Sequence, residues 1–467
     1  MDATSTSELA AAADEVDAVV LGMGSGGESV ATLLARAGCS VVGIEAGLVG
    51  GECPFWACVP SKMMLRAAHL LADARRIPHL AGSATVTADW SPVATRIREE
   101  ATDHWDDTDA VERFEEAGGR LVRGRGRLLA NDLVEVTTET GTHHFRAARA
   151  VVVATGSAPA VPPIDGLADT PFWTNHEATE TETLPESIVV LGGGPVGVEL
   201  AQVFTRFGAA VTVVEAADRL LPQEEPEAGE LLAGALAEDG AETLTGVSAR
   251  HVSHDGDRFT VRLDDGRTVQ AERLLVATGR RVDLGAIGAD AIGVDSEQRF
   301  LPVDAHLRVT DGVWAVGDVT GKGAFTHVAV HQARIAAADI LGEPHTPFED
   351  RAVPRVTFTD PEVGSVGRSE SAARDDGIEV AVGLADVPKT TRGWLHGPGN
   401  RGVIKLVADR KAGVLVGAMA AGPHGGEVLG LLALAVHART PLSELRSMIY
   451  AYPTFHRGIG DAVRDLE

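Results

Sequence analysis

Residues 19–27 read VVLGMGSGG and residues 189–197 read VVLGGGPVG. Each is an apolar run entering G-x-G-x-x-G, followed by a helix-like segment and a second apolar run that ends in an acid. The interval from Gly22 to Glu45 is 23 residues, and so is the interval from Gly192 to Glu215. One such glycine pattern is weak evidence; two, each after a strand and each with an acid at that distance, are specific. The first glycine makes a tight turn, the second lets the backbone approach a pyrophosphate, and the third lets helix and strand pack closely. The helix N-terminus offers unpaired N–H groups to the phosphates, and the acid accepts from a ribose hydroxyl. A second echo follows each unit. VVVATGS (151–157) and LLVATGR (274–280) read as buried strands ending in a glycine turn. The chain is therefore expected to carry two dinucleotide-binding domains, one inserted into the other. After residue 351 the pattern changes, and alternating runs such as RGVIKLVAD (401–409) and AGVLVGAMAAG (412–422) suggest an antiparallel sheet followed by helices.

Bulk properties narrow the partners. A chain of 467 residues is too long for one core. A net charge of −26 argues against nucleic acid and against an anionic membrane surface. No run approaches the ~18–20 apolar residues of a membrane span. The N-terminal stretch MDATSTSELAAAADEVD is acidic, lacks a signal-peptide pattern and reads as a disordered tail over 1–14, so a cytoplasmic location is expected. Lysine is rare, five residues among 41 basic ones, which makes a lysine inside a motif noticeable.

The stretch GGECPFWACVPSK (50–62) places Cys53 and Cys58 directly after the Glu45 strand. In a regular helix, residues five apart have Cα atoms about 8–9 Å apart, beyond the ~7 Å a disulfide tolerates. Cys53 is therefore expected in a turn ahead of the helix, and Pro54 suits such a start. A pair held this way can open and close, which suits redox exchange. As a zinc site, C-x4-C lacks a second ligand pair, so no metal centre is expected. Cys39, in AGCSVVG, reads as a small core residue.

With these residues in view, the chain resembles the FAD-dependent pyridine nucleotide–disulfide oxidoreductases, the group of lipoamide dehydrogenase, glutathione reductase and mercuric reductase. The resemblance rests on GMGSGG, C-x4-C-VPSK, ATGS, GGGPVGVE, ATGR, AVGD (315–318), THVA (326–329) and FTDPEVGSVG (358–367), and it spans nearly the whole chain after the tail. It implies an α/β fold class: two Rossmann-like dinucleotide-binding domains (FAD and NAD) plus a C-terminal α+β dimerisation domain. The boundaries are an FAD-binding domain over 15–160 and 285–350, an NAD(P)-binding domain over 161–284, and a dimerisation domain over 351–467. It also implies a homodimer.

The family's roles carry over onto matching positions. Gly22, Gly24, Gly27 and Glu45 hold FAD, together with Gly51, Lys62, Gly126, Thr155, Gly156 and Gly317, while Asp318 bonds the ribityl chain. Gly192, Gly194, Gly197, Glu215 and Gly279 bind the nicotinamide cofactor. Cys58 is the thiolate against the flavin, Cys53 the interchange thiol that meets substrate, and Lys62 sits near flavin N5 paired with Glu199. A carboxylate at Glu215 accepts from a ribose 2′-OH and repels a 2′-phosphate, which favours NADH; the nearby Arg219 keeps NADPH open.

One motif departs from the family. The usual C-terminal H-x-H-P-T-x-x-E, whose second histidine serves the partner's interchange thiol, here reads Y-A-Y-P-T-F-H-R. Tyr450 and Tyr452, the only two tyrosines, stand at the histidine positions, and Arg457 stands at the glutamate. A phenol with pKa ~10 is about 0.1% ionised at pH 7, so Tyr452 is a poor base but a serviceable donor. Losing a positioned acid–base group costs about 10²–10⁴-fold. His456 is adjacent, but helical spacing turns it about 100° from Arg457. Phe55 and Trp56, between the cysteines, read either as local packing or as aromatic walls of a substrate pocket.

Two functional readings stay open. The first is an NADH oxidoreductase passing a hydride through FAD to a Cys53/Cys58 disulfide and on to a small-molecule electron acceptor, itself a disulfide. The alternative is a flavin-dependent reductase of a non-disulfide acceptor: a quinone, a metal ion, or a second nicotinamide as in soluble transhydrogenases. Mercuric reductases usually add a C-terminal vicinal cysteine pair; this chain ends ten residues after Arg457 with no cysteine, which disfavours mercury. Soluble transhydrogenases share Trp56 and Tyr452 but usually lack the second cysteine. A flavin-bound sensor with little turnover is a third class, against which the complete second nucleotide motif argues.

Overall fold

A computed structural model of the chain describes residues 9–466. Of the tail expected over 1–14, residues 1–8 lie outside this range. Residues 9–12 form one helical turn, and Asp14 opens the first strand. The chain divides into two compact units: residues up to 59, 98–158 and 280–350, and residues 60–97, 159–279 and 351 onward. Residues 60–97, which the sequence reading keeps in the first nucleotide domain, cluster with the second unit.

The first unit is built on parallel strands. Asp14–Leu21 pairs with Val41–Glu45 (Ala18 opposite Val41) and with Gly141–Val153 (Val19 opposite Val151). Gly119–Arg123 extends one side and Val313–Ala315 the other. Parallel neighbours need a crossover, and the helix Ser25–Arg36 supplies the first one. Because both sheet faces are covered, the central strands are apolar without alternation. Ala18 and Val20 pack with Val30, Leu34, Ala333 and Ala336 from two helices. Val19 and Leu21 pack on the opposite face with Val134, Val136 and Leu301. Cys39 belongs to the first of these cores.

In the second unit the same device recurs. Ser187–Leu191 pairs in parallel with Ala210–Glu215 and Arg273–Val276, with the helix Pro195–Phe207 as crossover. A three-stranded antiparallel sheet over 249–271 accompanies it. Residues 354–422 form a five-stranded antiparallel sheet in which the two alternating runs lie side by side as Val403–Asp409 and Val414–Gly422. The helices Gly425–His437 and Arg457–Arg464 pack their apolar residues onto it.

Two buried charge clusters lie within this unit. The Arg206 side chain, 1% exposed, donates to Asp239 (2.8 Å) and Asp360 (2.9 Å). The Lys405 ammonium, 4% exposed, lies 2.8–3.0 Å from carboxylate oxygens of Glu225, Glu227 and Glu370.

Among the described residues, no helix is long and apolar enough to cross a membrane.

Candidate functional site

The two glycine turns share one geometry. Gly22 and Gly192 have φ of +90° and +108°, a region that side chains with a Cβ avoid. A Cβ at Gly27 would lie 1.8 Å from the Gly22 carbonyl oxygen, and one at Gly197 would lie 2.0 Å from that of Gly192. The N-cap of each following helix is a glycine, Gly24 or Gly194, so no side chain caps the helix and its N-terminal amides are not taken up by a capping group. The acids are anchored identically. Glu45 accepts from the amides of Met23 and Gly47, both at 2.7 Å. Glu215 accepts from those of Gly193 (2.5 Å) and Ala217 (2.7 Å). Each carboxylate is thus held over its own glycine turn with lone pairs to spare for a ribose. These features fit an adenine dinucleotide at both turns.

In the first unit several predicted residues converge on the Gly22 turn. Gly51 (φ +68°) leans on Gly24, where a Cβ would come within 2.9 Å of its Cα. Gly24 and Gly50 form an isolated bridge. The Thr155–Gly156 turn lies against Gly22, and Gly156 has φ +66°. Gly317 donates its amide to Gln332 (2.7 Å) just before Asp318. The Asp318 carboxylate accepts from the Ser157 hydroxyl (2.6 Å), and the Arg280 side chain donates to the hydroxyl and the carbonyl of Ser157 (2.7 and 2.6 Å). At Gly126 a Cβ would strike Leu21 Cδ2 at 2.3 Å, so the position is closely packed against the strand that leads into the turn.

Cys53 falls in a single helical turn, Glu52–Phe55, and Cys58 opens the long helix Cys58–Arg76. The pair stands as a dithiol. The Cys53 thiol hydrogen bonds to Cys58, and this bond, with burial, pushes its pKa far above the ordinary thiol range; a bond from Thr326 opposes the shift. Thr326 Oγ1 lies 3.5 Å from Cys58 Sγ. Cys53, Thr326, Gly50, Pro54 and Val59 line a cavity of about 680 Å³. Phe55 is 5% exposed and Trp56 tilts against it at 5.7 Å between ring centres, so Phe55 is mainly packing.

The second unit brings Lys62 and Glu199 together. Lys62 Nζ is 2.7 Å from Glu199 Oε2, whose carboxyl is 6% exposed, and the other oxygen accepts from the Phe358 amide at 2.7 Å. The Lys62 ammonium also sits over the Phe358 ring, 4.9 Å from its centre. Gly279 has φ +125° and open space around it. Arg219 folds back on its own loop, donating to the carbonyls of Pro222 (2.9 Å) and Glu224 (3.4 Å).

The two tyrosines have different surroundings. Tyr450 is half-buried, donates to the Leu445 carbonyl at 2.9 Å, and lies where a Cβ on Gly460 would touch its ring at 2.9 Å. Burial raises its pKa. Tyr452 is 66% exposed, with its hydroxyl 3.4 Å from Thr391 Oγ1 and the Arg457 guanidinium 5.6 Å from its ring centre. Its hydroxyl is available to an incoming group.

Thr326, Ser157, Arg280 and Phe358 were not singled out by sequence. Each stands inside a recognised string (THVA, ATGS, ATGR, FTDPEVGSVG), which was the available signal.

Residues 16–333 match the family model "Pyridine nucleotide-disulphide oxidoreductase", and residues 353–463 match its dimerisation domain. A mercuric reductase of Shigella flexneri is 34% identical over 456 residues, covering 94% of this chain and 78% of that protein. A dihydrolipoyl dehydrogenase of Chlorobaculum tepidum is 31% identical over 460 residues, covering 97% of each. Among solved structures, LpdA from Mycobacterium tuberculosis superposes with a TM-score of 0.84 at 28% identity. The HOCl-induced flavoprotein disulfide reductase RclA from Escherichia coli, solved as a Cu(II) complex, superposes with 0.85 at 26%. Each structure covers 97% of this chain and is itself covered completely.

Proposed function

Because the chain belongs to the pyridine nucleotide–disulphide oxidoreductase family, we propose that it is an NADH-dependent flavoprotein that reduces a small disulfide through Cys53 and Cys58. The observation that carries this reading is the hydrogen-bonded Cys53–Cys58 dithiol, with Cys53 on the wall of a cavity large enough for a substrate. The Gly22 turn with Glu45 would hold FAD and the Gly192 turn with Glu215 would hold NADH, and these cofactors would supply the electron pair that reduces the cysteine disulfide. The residues divide the remaining work. Glu45 and Glu215 fix riboses, and the two uncapped helix ends hold pyrophosphates. Asp318, oriented by Ser157 and Arg280, accepts from a cofactor hydroxyl. Glu199 fixes the Lys62 ammonium, which the family frame assigns to the flavin.

In the dithiol, the proton stays on Cys53 and negative charge is favoured on Cys58, which accepts the Cys53 bond. Cys53, once deprotonated, attacks one substrate sulfur; a mixed disulfide forms and the first product thiolate leaves and is protonated. Cys58 then attacks Cys53, the internal disulfide reforms, and the second thiolate leaves. The sum is NADH, a proton and one disulfide giving NAD⁺ and two thiols. Tyr452, presented across a homodimer, is the proposed donor to a leaving thiolate. The homodimer rests on the matched dimerisation domain and on exposed apolar side chains at Trp394, Leu434 and Ile449. NADH over NADPH is supported by Glu215 at the ribose position and by Arg219 being engaged within its own loop. A cytoplasmic setting, where such a dithiol is kept reducible, completes the proposal.

A metal-ion acceptor is the second reading. It is favoured by the mercuric reductase relatives and by a frame that offers Tyr452 where disulfide reductases carry an imidazole. Anaerobic reduction with NADH, followed by a panel of disulfides, quinones, Hg²⁺ and Cu²⁺, separates the readings. Turnover of a disulfide that stops in Cys53→Ser supports the first. Disulfides inert in the parent protein, with metal turnover, would replace it by the second. Failure of NADH to reduce the flavin removes both.

A further inference from the structure

A separate cluster lies in the first unit. His306 Nδ1 and His345 Nε2 are 2.8 Å apart, and Asp339 Oδ1 is 3.7 Å from His345 Nε2. All three donor atoms lie within 4.8 Å of one another. We propose that His306, Asp339 and His345 form a binding site for one divalent transition-metal ion of the Zn²⁺ or Cu²⁺ class, with solvent completing the coordination.

The spacing fits. Bonds of about 2.0–2.1 Å in a tetrahedral site place donor atoms about 3.3 Å apart, between the two separations seen here. The outer contacts fit as well. His345 Nδ1 lies 3.0 Å from the Glu343 carbonyl, which only an Nδ1–H can satisfy, so the Nε2 lone pair faces the cluster. Such a second contact orients metal-binding imidazoles. His306 Nδ1 then carries the proton shared by the two rings, and a cation entering between them displaces it as His306 takes the other tautomer. Asp339, in the last turn of the helix Thr326–Leu341, is held by Arg308 (2.6 and 2.8 Å) and by the Trp314 indole N–H (2.8 Å). His306 sits in a turn whose Asp304 carboxylate accepts from the His306 and Arg308 amides.

The groups are preorganised, and the His345 side chain is 14% exposed, which leaves a path for entry. Arg308 takes up part of the Asp339 charge, so the imidazoles dominate and micromolar affinity is expected. The ion would fasten the segment after the helix, already tied back by the Phe348 amide on the Ala305 carbonyl (2.7 Å), to the 304–308 turn.

The test uses the flavin-loaded protein with Cys53→Ser and Cys58→Ser, which removes the accessible competing thiols; Cys39 is buried in the core. Calorimetric titration with ZnCl₂ is expected to show one micromolar site per chain, weakened more than about 100-fold by His306→Gln or His345→Gln. Identical isotherms in parent and variants, or no binding in the parent, overturn the proposal. Crystals of the parent soaked in ZnCl₂ keep the test open if the variants fold poorly. An anomalous peak between the three side chains supports the site, and ordered side chains without one refute it.

Discussion

Replacing Lys405 by methionine tests the ionic cluster that holds the C-terminal sheet in its unit. Methionine nearly preserves length and bulk, so the change removes charge with little loss of packing. Three carboxylates then lose their shared cation. Glu227 and Glu370 are 32% and 30% exposed, and Glu370 keeps Arg374 at 2.8 Å, so water and that pair limit their cost. Glu225 is 7% exposed and would keep the Glu370 amide at 2.6 Å. Breaking a buried pair from one side costs about 3–5 kcal/mol, and the two exposed partners place this case near ~3 kcal/mol. For a unit of this size that is about 6–12 °C in apparent melting temperature, read by circular dichroism on flavin-loaded protein.

The pH dependence follows from the signs. In the parent, Glu370 titrates below its ordinary range because hydrogen bonds from Arg374 and Lys405 outweigh burial. That contribution is present above the ordinary carboxylate pKa and is lost as pH falls through the lowered one. Burial lowers the Lys405 pKa, but its three carboxylates outweigh it and hold the net value above the usual lysine range, so its charge is constant across this window. In the variant, acidification relieves the repulsion among the carboxylates left without their cation. The gap between variant and parent therefore narrows between pH 7 and about pH 4. Equal melting temperatures at pH 7, or a gap that widens in acid, would refute the reasoning.

Four other outcomes follow from the same geometry. Because its pKa is raised by the Cys58 bond and by burial, Cys53 in the reduced protein is expected to react slowly with iodoacetamide at pH 7 and faster at each step above it; a pH-independent rate at that cysteine contradicts this. Tyr452→Phe is expected to lower disulfide turnover by about 10²-fold with an unchanged melting temperature. Tyr450→Phe is expected to leave turnover intact and cost ~1 kcal/mol, the hydrogen bond to Leu445, measured by thermal melting. Glu215→Ser should raise KM for NADH and narrow the preference over NADPH in steady-state assays; an unchanged preference places nucleotide choice elsewhere.

Much of the site was legible because its requirements are local. A glycine turn, an uncapped helix and an acid at the end of the next strand lie within 24 residues, and the same Gly–Glu geometry appears at Glu45 and Glu215. The cysteine pair was legible for the same reason, since the helix repeat alone excludes a bridge within one helix. At Gly126 the structure adds a requirement that pattern reading does not show: the Leu21 side chain leaves no room for a Cβ.

By itself, the sequence determined that this chain builds two nucleotide-binding turns, a dithiol between them in sequence order, and a C-terminal frame without its usual histidines. Tertiary structure decided what identical residue types do. Tyr450 and Tyr452 are two residues apart, yet one ring is packed on Gly460 and the other is open to solvent. Thr326 meets Cys58 across 268 positions, Ser157 meets Asp318 across 161, and His306 meets His345 across 39. Such contacts depend on how sheets and helices close over long loops, and no periodicity or spacing along the chain encodes which side chains that closure brings within hydrogen-bonding reach.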